Sequence, residues 1–366
     1  RNPKARRRPG WAGRHGMSVA SAGRGRPTTY CHDVATARTE SWESAWERTL
    51  TGPDSFYRHQ PPQQHFTTTV LEHDGIARLV LAHVRSLLID HPSNARDLIV
   101  TDLGSGHGTL LRQLQTLLAS AGFAHRVELI GVDIRQRPED LPDSIRWVNQ
   151  DVREYLRSTP PERGVRIAHE LLDDIPLPIV EFDEDGVMHR IDADPDGWQG
   201  IIGAEHREAR DLEWLEEWWP DRRPFARAEI GRPRGECWRQ MLATMHDGVC
   251  LAVDYGHVRP ERRAGTWDGG SCVGYRQGRV VTPRADGTCN ITAHVAFDSL
   301  AAVGRGLAQP VVMREEPLPR EFGAPPDMRI LQAWCGPARS RATMRPLVEF
   351  VECPELVTTA DRWLHP

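Results

Sequence analysis

Nothing in this sequence is apolar for long enough to cross a bilayer, which sets aside a membrane-spanning reading. The basic opening, Arg1-Asn2-Pro3-Lys4-Ala5-Arg6-Arg7-Arg8-Pro9, has no apolar stretch after it and does not read as a secretory signal. A disordered tail over residues 1–35 is expected from its composition, with a targeting segment or sequence ahead of Met17 as alternatives. The seven cysteines, at 31, 237, 250, 272, 289, 335 and 353, are scattered and form no C-x-x-C pair. That pattern excludes a disulfide frame and a zinc site, and suits reduced thiols in a cytoplasmic protein. Sixteen histidines include no H-x-x-x-H pair. No metal is therefore expected, and His107, His169, His257 and His294 read as individual site or core residues. A net charge of -5 carries no nucleic-acid signature. The chain shows no internal repeats.

What the chain does have is Ile99-Val100-Thr101-Asp102-Leu103-Gly104-Ser105-Gly106-His107-Gly108-Thr109-Leu110. An apolar run ends in an acid, crosses three glycines and enters a helical pattern of Leu110, Leu111, Leu114, Leu117 and Leu118. Strand, tight loop and helix in this order make a nucleotide-type cofactor site. Glycines admit close backbone approach, and the helix start offers unpaired N–H groups. A dinucleotide loop wants glycine or alanine at 109, where this chain has Thr109. The G-x-G-x-G spacing, with Asp102 ahead of it, suits S-adenosylmethionine, which has no pyrophosphate to bind.

Two more strands follow, each ending in an acid. Arg126 to Asp133 puts Asp133 where ribose hydroxyls are commonly held, and Ile145 to Asp151 ends on Asp151. Either acid taken singly also suits a solvated turn or a helix cap. The cofactor residues expected are Asp102, Gly104, Ser105, Gly106, Gly108, Asp133 and Asp151.

The 366 residues suffice for one large domain or two smaller ones. Helices are expected near Ser41–Leu50 and from Ile76 to Leu88. They belong with a cofactor-binding core over residues 36–177. Its fourth strand, Val165 to His169, runs directly into Glu170-Leu171-Leu172-Asp173-Asp174-Ile175-Pro176. An insertion is expected over 178–232, from a hairpin signal at Glu184-Asp185-Gly186 and a Trp- and acid-rich segment. The core resumes over 233–366, with a helix near Gly235–His246, a buried strand from Gly248 to Gly256, a strand pair from Val273 to Val281 and a helix from Val295 to Val303.

Five blocks in this order resemble the MidA-like methyltransferases, a family that includes the mitochondrial complex I assembly arginine methyltransferase. They are Phe56-Tyr57 with His65-Phe66-Thr67-Thr68; Asp102 to Gly108; Glu170 to Pro176; Asp254-Tyr255-Gly256-His257 with Gly265-Thr266; and Asn290-Ile291-Thr292-Ala293-His294-Val295. The resemblance covers roughly Ser55 to Trp334. It implies an α/β fold: a class I methyltransferase Rossmann-like sheet with helices on both faces and an insertion after the fourth strand. It also implies S-adenosyl-L-methionine as cofactor. Departures are His169 for the family's asparagine, Asn290 for its aspartate and Asp102 for its glutamate. The first two remove an amide and a carboxylate from the acceptor side.

Methyl transfer from a sulfonium is an in-line displacement, and near-attack positioning can supply roughly 7–11 kcal/mol of the barrier. An arginine acceptor must also lose a proton, because guanidinium stays charged in proteins. Carboxylates can pin it and take that proton. Glu170, Asp173 and Asp254 are the catalytic candidates, with Asp174 beside them; Glu170 also suits a helix-start acid facing the dipole. Tyr255 reads as a pocket wall. Methylation of a protein side chain (arginine favoured), methylation of a small molecule, and a cofactor-binding assembly factor without turnover are the open function classes. A nicotinamide enzyme is disfavoured by Thr109.

Overall fold

The computed structural model describes residues 40–53, 55–60, 65–90, 98–304, 307, 311–322 and 324–336. The tail expected over 1–35 lies outside the described residues. β-branched and leucine-rich runs form the strands of the central sheet: β1 (Leu98–Leu103), β2 (Val127–Asp133), β3 (Ile145–Asn149), β4 (Glu162–His169), β5 (Met245–His257), β6 (Val311–Pro317) and β7 (Met328–Cys335). Their order is β6-β7-β5-β4-β1-β2-β3. β3, β2, β1, β4 and β5 are parallel, and β7 lies antiparallel between β5 and β6. Strands buried on both faces read as continuous apolar runs, which is why Val100, Ile130, Ile167 and Leu251 sit in uninterrupted stretches. The chain leaves β1 toward β2 on one side and reaches β4 on the other. That reversal opens a crevice beyond the carboxyl ends of β1 and β4.

Helices cover both faces. α1 (Gly75–Asp90) and α2 (Thr109–Ser120) pack Val80, Val84, Leu87, Leu111 and Leu114 on one face. α3 (Val152–Ser158), α4 (Arg232–Ala243) and α5 (Phe297–Val303) bring Leu156, Trp238, Met241 and Leu300 to the other. Each fully buried leucine or methionine stabilises the fold by roughly 1.5–3 kcal/mol. The helix expected over Val295–Val303 starts late. Val295 and Ala296 instead pair in parallel with Gly256 and His257, and the helix begins at Phe297. A Cβ at Gly256 would lie 2.4 Å from Phe297 Cδ2 and 2.5 Å from Val295 O, so only glycine admits this approach.

Between β4 and α4 the chain forms a second, antiparallel sheet from Ile179–Phe182, Met188–Ala193, Gln199–Glu205 and Arg227–Glu229, edged by Glu40–Ser41. Ile179–Phe182 and Met188–Ala193 pair as a hairpin across the Glu184-Asp185-Gly186 turn. The helix Trp42–Thr51 starts at Ser41, whose side chain accepts from Ser44 N. It buries Trp42 and Trp46 with Phe56, Ile179 and Ile291. A separate three-stranded sheet is formed by Arg279–Val281, Val273–Arg276 and Asn290–Thr292. No helix among the described residues is long and apolar enough to cross a membrane.

Candidate active site

The crevice holds an open cavity. Its walls come from the loop after β1, the end of β2, the start of α3, the loop after β4, and Tyr57, Phe66, Thr68 and Val70. Of the expected cofactor residues, Asp102, Gly104, Ser105, Gly106, Asp133 and Asp151 line it; Gly108 sits behind, as the left-handed cap of α2. Gly104, Gly106 and Gly108 all have positive φ (71°, 58° and 70°). A Cβ at Gly106 would meet nothing within 4 Å, so the loop is open where a ligand would press against it. No side chain caps α2, which leaves its first-turn donors for a ligand.

Asp133 Oδ2 accepts from Gly106 N at 2.8 Å, and Oδ1 accepts from Arg135 N at 2.8 Å. Each oxygen keeps a further lone pair, enough to accept two ribose hydroxyls. Asp102 accepts from Ser105 Oγ at 2.7 Å, and burial pushes its carboxyl up to about 7. Asp151 caps α3 through Arg153 N and Glu154 N and is paired with the Arg153 guanidinium, which also grips Glu47. Its carboxylate is thus largely engaged, although the residue stays at the cavity wall. These residues fit S-adenosylmethionine: an open glycine turn, free helix donors and an acid at the end of the second strand.

Glu170 follows β4 and lines the cavity. Its backbone is left-handed, with φ 48°, a conformation that costs a non-glycine residue about 1 kcal/mol. The main chain is held there by Glu170 N donating to Val253 O at 2.8 Å. Glu170 Oε1 accepts from Thr69 N at 2.9 Å and from Thr69 Oγ1 at 3.0 Å. Burial pushes the Glu170 carboxyl up to about 8, opposed by the Thr69 donors. His169 lies 3.3 Å away, and burial pushes its imidazole down to about 4, so it is neutral beside the glutamate.

The structure separates the other acids. Asp254 was expected among the reacting groups, but it does not line the cavity. Its Oδ2 accepts the N–H groups of Leu171, Leu172 and Asp173, at 3.2, 2.8 and 3.2 Å, and Oδ1 accepts Tyr255 N. It builds the loop that carries Glu170. Asp173 is also off the cavity wall; Asp174 takes its place there, accepting from Tyr57 Oη and from Asn290 Nδ2. Burial and the neighbouring Asp173 push the Asp174 carboxyl well up. His257 accepts from Arg262 at 2.8 Å, away from the cavity. Among the described residues no group of three or more histidines, cysteines or acids could hold a metal.

Two positions beside the site carried no sequence signal. Thr69 ends a threonine run that gave no hint of its partner. Arg234 is fully buried, and its guanidinium donates to the carbonyls of Asp173, Ile175, Ala293 and His294. It ties the Glu170 loop to the Ala293-His294 segment.

The fold and this cavity define an S-adenosylmethionine-dependent methyltransferase. The chain belongs to the family described as "Putative S-adenosyl-L-methionine-dependent methyltransferase", whose profile matches residues 76–313. In fold it is similar to a COG1565 superfamily member and likely methyl transferase from Burkholderia thailandensis bound to S-adenosyl-homocysteine. That match has 17% identity and a TM-score of 0.64, covering 81% of this chain and 88% of that one. A second, native COG1565 superfamily structure from the same organism matches at 16% identity and a TM-score of 0.62, covering 81% and 87%. Among curated protein sequences none matches significantly.

Proposed function

We propose that this methyltransferase acts on a protein side chain, with arginine as the acceptor, as its resemblance to the MidA-like family also suggests. The observation that carries the reading is the clustering of four acids on and behind one wall of the cavity. Glu170 and Asp174 line the cavity, Asp173 and Asp254 lie directly behind, and the buried cation beside them, Arg234, donates to the main-chain carbonyls of Asp173, Ile175, Ala293 and His294. Burial pushes all four carboxyls up, so a guanidinium entering here would be favoured by the charge it releases on them.

When bound, the cofactor supplies an electrophilic sulfonium methyl group. The chain's own residues do the rest. The Gly104–Gly108 turn and Asp133 hold the donor side, with Asp102 bracing the turn through Ser105. Glu170 faces the acceptor, pins its guanidinium and takes its proton, while Asp254 and Arg234 fix the loop beneath.

The test is transfer of tritiated methyl from S-adenosylmethionine into host lysate, followed by acid hydrolysis and chromatography. Labelled methylarginine in the protein fraction supports the reading. Label confined to the acid-soluble fraction overturns it in favour of a small-molecule acceptor, and label in neither points to cofactor binding without turnover.

A further inference from the structure

We propose that Thr69 is a positioning residue that makes Glu170 Oε2 the one oxygen able to receive the acceptor's proton; this rests on Glu170 being the base. Thr69 is buried and lies 101 residues from Glu170 in sequence, on the short helix Thr69–Glu72. Its main-chain N–H and its hydroxyl both reach Oε1, at 2.9 and 3.0 Å. An amide N–H cannot reverse its direction, so Oε1 remains an acceptor in either ionisation state. Oε2 takes no protein hydrogen bond among the described residues, and Glu170 lines the cavity. The proton therefore comes and goes on Oε2. As the acceptor's carbon–nitrogen bond forms, one of its N–H bonds breaks and an Oε2–H bond forms; the sulfur keeps the pair of the bond it loses.

The Thr69 hydroxyl has two acceptors for one hydrogen: Glu170 Oε1, and Met328 Sδ at 3.4 Å. A carboxylate is much the stronger acceptor and a thioether a weak one. The hydroxyl thus turns to Oε1 when Glu170 ionises and favours the charged form at the moment a base is needed. The titratable groups facing Glu170 are His169, Asp173, Asp254, Tyr255 and Tyr275, none of which the test variants alter.

The test follows the Glu170 carboxyl carbon by 13C NMR on glutamate-labelled protein with S-adenosylhomocysteine present. The resonance is assigned by its loss in Glu170→Gln. Thr69→Val keeps shape and the N–H but removes the hydroxyl, and should move the titration up by about one pH unit. Thr69→Ser should restore it. Methyl transfer into lysate protein should fall about tenfold in Thr69→Val below the midpoint and recover at high pH. An unmoved titration, or a loss equal at every pH, overturns the role of Thr69 while Glu170→Gln still abolishes turnover. Turnover surviving in Glu170→Gln overturns the base itself, and this role with it.

Discussion

Asp133 Oδ2 accepts the main-chain N–H of Gly106 at 2.8 Å, so the acid at the end of β2 holds the glycine turn that follows β1. One carboxylate therefore ties the end of β2 to the loop after β1. It sets the loop's shape, and the residue lines the cavity.

Replacing Asp133 with alanine should weaken binding of S-adenosylhomocysteine by roughly 1.5–3 kcal/mol, the range for hydrogen bonds to a charged group. Calorimetry gives the number. The melting temperature should fall as well, because Gly106 N and Arg135 N lose their acceptor. Unchanged affinity would place the ribose elsewhere.

Gly106→Val should abolish cofactor binding while the protein still folds. The new side chain would enter open space rather than a neighbour, but at a φ of 58° a β-branched residue is strained and blocks the loop face. Calorimetry with S-adenosylhomocysteine beside a thermal melt separates the two effects.

Glu170→Gln should leave cofactor affinity intact and lower turnover by about 10²–10⁴-fold, as expected for a positioned general base. Burial pushes this carboxyl up to about 8, so kcat/KM should rise with pH through that region and then level off. The variant should lack the limb. Asp174→Asn should cost far less than Glu170→Gln, because Tyr57 Oη and Asn290 Nδ2 already occupy that carboxyl.

Asp254→Ala should destabilise the fold rather than act only on chemistry. It leaves the N–H groups of Leu171, Leu172 and Asp173 without their acceptor. Each orphaned buried donor costs about 1–3 kcal/mol. Urea unfolding should show the loss even without cofactor.

Stability should fall from pH 6.5 to pH 9. Glu170 is pushed up to about 8 and Asp102 to about 7, so each contributes stability at low pH that is lost as pH rises through those values. His83 and His169 are pushed down to about 4, and their contribution is present above about 6.5 and lost only as pH falls. In the alkaline window the acids decide the sign. Melting temperatures across buffers should show this slope, and Glu170→Gln should flatten it.

The sequence by itself determined the strands, the glycine turn and the acids at strand ends. Apolar runs, three glycines and a helical leucine pattern are properties of adjacent residues, and they place Asp102, Gly106, Asp133 and Glu170 at one sheet edge. Tertiary structure alone decided which of the acids faces the cavity. Asp173 and Asp174 are neighbours in the chain, yet Tyr57 and Asn290 reach the second, while Arg234 takes the main-chain carbonyl of the first. Asp254 ends its strand as a site acid would, but its carboxylate is taken up by N–H groups more than 80 residues away. Thr69 meets Glu170 only because the segment before α1 folds back over the crevice. Such partners depend on contacts between distant segments, and no local period or spacing encodes them.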